Sequence, residues 1–81
     1  MGPTSLDYYI LEVTIMANKR VQFVHNDMIK ESEIVRTLII NGFAVDFKMK
    51  ENGFTFCETV VPKNWADWLA EVTTWKYIKS A

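Results

Sequence analysis

The chain has 81 residues, which is one domain with one core, and a chain of this mass buries roughly 60 to 65% of its unfolded surface. A hydrophobic content of 49% with 14% aromatic residues excludes a disordered polymer. Nine basic against ten acidic residues give a net charge of -1, without the basic excess that phosphate tracking calls for.

Met1–Ser5 is read as a flexible terminus or an expression remnant, and residues 6–81 as a single α+β domain. From Leu6 to Ala17, Tyr9, Leu11, Val13, Ile15 and Ala17 share one parity, which predicts a long strand. Asn18-Lys19-Arg20 then reads as a three-residue loop. A return strand over Val21, Phe23 and His25 would set Val21 opposite Ala17 and Phe23 opposite Ile15.

Asn26 or Asp27 can cap a following helix, because a short polar side chain accepts from the free amides of its first turn. Ile34, Val35, Leu38 and Ile39 form its apolar stripe with Met28 at the edge, and Asn41-Gly42 ends it. Ile29 and Ile40 point elsewhere.

The plan then repeats. Phe43, Val45, Phe47 and Met49 alternate with Ala44, Asp46, Lys48 and Lys50, and Asn52-Gly53 signals a type I′ hairpin. That turn sets Phe47 opposite Glu58 and Cys57 opposite Lys48, so Glu58 falls on the apolar side and Cys57 on the surface. Pro62 ends the return strand. Asn64 and Asp67 resemble a capping box for a second helix, whose stripe is Trp65, Trp68, Leu69, Val72 and Trp75.

The expected architecture is a two-layer sandwich in the order ββαββα. It has a four-stranded antiparallel sheet with both helices on one face and a core centred on Phe47, Phe56 and Trp68. The strand order is left open by the sequence.

Chemistry finds little support. His25, the single histidine, reads as a packed or capping strand-end residue in preference to a catalytic base. Glu58 on an apolar face needs a partner, or a bulge that turns it outward. Cys57 beside Lys48 could be a reactive thiol, but a small strand residue is the simpler reading. No paired-cysteine, HExxH, calcium-loop or Gly-rich phosphate pattern is present, so no catalytic residue, metal or cofactor is assigned, and no small-molecule ligand can be inferred. The tryptophans fit a core stripe better than a stacking platform.

No internal disulfide, secretory signal, bilayer-spanning run or myristoylation start is visible, so a cytoplasmic protein is expected. Size and balance suit a bacterial or phage accessory protein as a compositional association. The leading functional expectation is a non-enzymatic protein-binding or regulatory protein, acting alone or as a homodimer. Ile10, Met16, Ile29, Ile40, Tyr77 and Ile78 are the apolar interface candidates, with Lys19, Arg20, Lys48 and Lys50 at the rim. A single-stranded nucleic-acid binder using Tyr8, Lys48 and Lys50 on the open sheet face is disfavoured by the charge balance. An enzyme completed at a dimer interface, with His25 or Glu58 in a shared cleft, is the third reading.

Overall fold

The computed structural model describes residues 18–81. The expected first strand and flexible terminus lie outside the described residues. The elements are β1 (Asn18–Val24), α1 (Met28–Ile40), β2 (Val45–Met49), β3 (Thr55–Pro62), α2 (Lys63–Val72) and β4 (Trp75–Ser80).

The four strands form one antiparallel sheet in the order β2-β3-β1-β4, with both helices on one face. This is the two-layer α+β class expected from the sequence. The order of the described elements is βαββαβ, two interlocked split β-α-β units, with the fourth strand supplied by the C-terminal segment.

Asn18-Lys19-Arg20 is strand, not loop. Lys19 pairs with Val61 on one side and with Ser80 on the other, and the ladders continue to Phe23 and Val24. Both edges of β1 are therefore taken, which leaves no edge for the expected hairpin partner.

At the start of α1, the Asp27 carboxylate accepts from the Ile29 and Lys30 N–H groups, as anticipated for a capping residue. At its end the Gly42 N–H donates to Ile39 C=O and the Phe43 N–H to Leu38 C=O, a Schellman pattern. Gly42 takes a φ of 92°, the left-handed conformation that glycine adopts without a steric penalty.

The hairpin between β2 and β3 is one residue longer than a type I′ turn. Lys50 N–H donates to Phe54 C=O (2.8 Å) and Gly53 N–H to Lys50 C=O (2.9 Å), while Gly53 alone in the turn has positive φ, at 86°. This is the three-residue loop of a turn followed by a left-handed glycine. Every β3 residue consequently shifts parity. Phe47 faces Cys57, and Glu58 faces Asp46. The expected pairing of Phe47 with Glu58 is corrected, and with it the surface position of Cys57, which is 1% exposed in the core.

The helix-facing layer joins Val21 and Phe23 of β1, Cys57 and Val61 of β3, Ile34, Val35 and Leu38 of α1, and Ala66 and Leu69 of α2. Its largest fully buried side chains are Phe23, Leu38 and Leu69, not the expected Phe47, Phe56 and Trp68. Trp65 and Trp68 pack at the border of this layer with rings edge to face at 5.4 Å.

The second helix starts at Lys63 after Pro62, with no side-chain cap, so Asn64 and Asp67 do not form the anticipated capping box. It ends at Val72, before Trp75. The β-branched run Val72-Thr73-Thr74 disfavours further helix. Thr74 then ties the chain to the end of β1, donating to Val24 C=O from both its N–H (3.0 Å) and its hydroxyl (3.2 Å). Pairing of Trp75 with Val24 follows directly.

A Cβ added at Gly53 meets no atom within 4 Å, so the cost of a side chain there is backbone conformation alone. Gly53→Ala should destabilise the fold by about 1 kcal/mol in chemical denaturation, the penalty for a left-handed residue with a Cβ.

Candidate functional site

Two surfaces stand out beyond the core: the open face of the sheet, and a groove where α1 meets the β2 edge.

On the open face, β1 presents Arg20, Gln22 and Val24, β3 presents Phe56, Glu58 and Val60, and β4 presents Trp75, Tyr77 and Lys79. At its centre Glu58 is only 6% exposed. Lys48 Nζ lies 2.8 Å from its carboxylate and Arg20 Nη1 3.4 Å, while Gln22 Nε2 donates at 3.0 Å. The Lys48 ammonium first, and then the Gln22 amide, hold its carboxyl below the usual range. Glu58 is thus a satisfied structural carboxylate.

Beside it Phe54, Phe56 and Trp75 form an aromatic cluster, with Phe54 and Trp75 edge to face at 5.0 Å. Lys50 Nζ sits 5.6 Å from the Trp75 ring centroid and 5.7 Å from that of Phe56. Trp75, expected on the stripe of the second helix, therefore belongs to the opposite layer of the molecule.

The groove has a different character. Met28, Val35 and Ile39 border it from α1, and Phe47 and Met49 from β2. Its larger section encloses about 740 Å³ and reaches His25, Phe54 and Cys57. Phe47 and Met49 have the parity of core residues, yet they are 71% and 69% exposed. The second helix packs on the central strands, and α1 meets β2 without covering these two side chains.

His25 lies in the β1–α1 connection. Its Nδ1 accepts from Asp27 N–H and its own N–H donates to the Glu31 carboxylate, both at 2.9 Å. Those bonds shape the approach to the helix cap. Cys57 lies in the groove floor, where burial, and then the Glu31 charge, push its thiol up to about 11. It stays protonated at neutral pH, contrary to the activating role considered for Lys48.

Among the described residues the interface candidates are not brought together. Ile10 and Met16 lie outside the described residues. Ile29 and Ile40 are exposed on the outer side of α1, eleven positions apart and so roughly 16 Å along its axis. Tyr77 and Ile78 point to opposite faces of β4. Among the rim lysines and arginine, Arg20, Lys48 and Lys50 are on or beside the open face, whereas Lys19 lies on the helix side. The exposed pair Phe47 and Met49 was missed because alternation marks a face without marking how far a helix extends over it.

Among the described residues no three His, Cys, Asp or Glu side chains gather to hold a metal ion, and no helix is long and apolar enough to cross a membrane. Compared with protein-family models, curated proteins and solved structures, the chain matches none.

Two expectations follow from these environments. Cys57 in the native protein should react with a maleimide far more slowly than in denaturant, as read by mass spectrometry. For Glu58, folding lowers the pKa, so its contribution to stability is complete above the ordinary value of 4.5 and is lost as pH falls through the lower folded value. Glu58→Gln should therefore reduce stability at neutral pH by about 1 to 3 kcal/mol and flatten the acid limb of the stability curve measured by urea denaturation.

Proposed function

We propose that this is a non-enzymatic protein-binding module that takes an extended segment of protein along the β2 edge, with that segment's apolar side chains entering the groove beside α1. The observation that carries the reading is the exposure of Phe47 and Met49, two core-parity residues on an edge strand. An edge strand offers unpaired backbone donors and acceptors, and strand addition uses them for affinity while pockets on one face select side chains. Met28 and Ile39 give the groove its second apolar wall. The protonated, buried Cys57 suits a reducing compartment such as the cytoplasm.

A second reading draws on the open face, where Phe54, Phe56 and Trp75 sit beneath Lys50, and Tyr77 is 54% exposed. Bases of a single strand could stack there. Against it, this face carries Glu58 at its centre and Asp46 on the β2 edge, and Phe56 is itself buried.

Titration with a library of ten-residue peptides of alternating apolar and polar residues, followed by amide NMR, separates these readings. Binding should shift Val45, Phe47 and Met49, and Phe47→Asp should weaken it by at least about tenfold, as expected for an anchor side chain at an interface centre. Failure to bind any such peptide, together with salt-sensitive binding of single-stranded oligonucleotides that shifts Trp75 and Tyr77, would replace the first reading with the second.

A further inference from the structure

The β2 edge is self-complementary. Lys50 turns its N–H toward β3, donating to Phe54 C=O, so by the alternation of an antiparallel ladder Val45, Phe47 and Met49 turn theirs outward. Two copies of this strand can pair antiparallel about a two-fold axis in three central registers. Centring on Asp46 sets two aspartates face to face, and centring on Lys48 does the same to two lysines. Centring on Phe47 instead sets Asp46 opposite Lys48 twice, Val45 opposite Met49 twice, and Phe47 against its own copy.

That last register also aligns the outward groups of Val45, Phe47 and Met49 as hydrogen-bonded pairs. It would also give Asp46 a cation: Asp46 stands opposite Glu58, whose partners are Lys48 and Arg20, and makes no ion pair of its own among the described residues. The other sheet edge differs. β4 carries Lys76 and Lys79 and no acid, a pattern that repels its own copy.

We infer that the segment seated on the β2 edge is β2 of a second copy of this chain, paired antiparallel through Phe47 to give an eight-stranded sheet across a two-fold axis. The inference rests on the docking surface proposed above. The symmetric pairing brings the two grooves together, so that Phe47 and Met49 of each copy lie over the other's edge on the helix side.

Sedimentation equilibrium of the full chain across concentration tests it. The wild type should pass from one chain mass to two. Asp46→Lys should raise the dissociation constant by about tenfold, because it sets a lysine opposite Lys48 of the second copy. The same change should leave the thermal midpoint of the monomer equal or higher, since the new ammonium faces Glu58. Lys48→Glu should weaken association similarly, and an equimolar mixture of the two variants should recover it, each strand then meeting only opposite charges.

If Lys48→Glu fails to fold for want of a Glu58 partner, Phe47→Pro serves in its place. It removes an outward N–H and the central ring while sparing the β3 ladder, and should give a folded monomer. A wild type that stays monomeric at every concentration, or a dimer indifferent to Asp46→Lys and Phe47→Pro, overturns the inference. A monomer whose β2 amides still respond to extended peptides would overturn the second copy alone and leave the docking surface standing. Protection of those amides in a chain that sediments as a monomer would likewise overturn it.

Discussion

A single left-handed glycine sets the side of the sheet on which each residue of β3 lies. Because Gly53 closes a three-residue loop, Cys57, Thr59 and Val61 meet the helices while Phe56, Glu58 and Val60 look the other way. With one residue fewer, a carboxylate would enter the apolar layer and a thiol would leave it. That exchange would cost several kcal/mol for the unpaired charge alone. The small volume of Cys57 and the hydroxyl of Thr59, which donates to Ala44 C=O at 2.8 Å, both fit the layer they occupy.

The same parity assembles the open face. Glu58 draws Lys48 from β2 and Arg20 and Gln22 from β1, so one carboxylate links three strands. The aromatic cluster next to it joins the turn, β3 and β4, with Lys50 over the rings. The centre of this side of the sheet is thus covered by its own side chains, with no helix over it among the described residues. The helix side is incomplete instead, at the β2 edge, where Phe47 and Met49 border an open groove whose other wall includes Met28, Val35 and Ile39 of α1.

The class of fold was legible because its signals are local. Alternation marks β2 and β3, the Asp27 cap and the Asn41-Gly42 end bound α1, and two helices with four antiparallel strands follow from burying the apolar faces. The errors arose where two local patterns coincide. Trp75 lies three residues beyond Val72, as on a helix, and two before Tyr77, as on a strand. The bonds from Thr74 to Val24 decide between them, and those span fifty positions of chain. Asn52-Gly53 fits both a two-residue and a three-residue loop, and the misassigned Cys57 and Glu58 stem from that one ambiguity. The groove was illegible for another reason: the reach of a helix over a sheet is a tertiary property that no periodicity encodes.

The placement of β1 between β3 and β4 bears on how the chain is made. One flank of this central strand is filled by residues 75–80, at the very end of the described polypeptide. During synthesis, everything up to α2 can leave the ribosome while β1 still shows a bare, paired-on-one-side edge, with Phe54 and Phe56 unroofed by Trp75. Closure waits for β4. Until β4 follows, that edge can be paired by another chain; once it is seated, its two lysines guard the new outer edge.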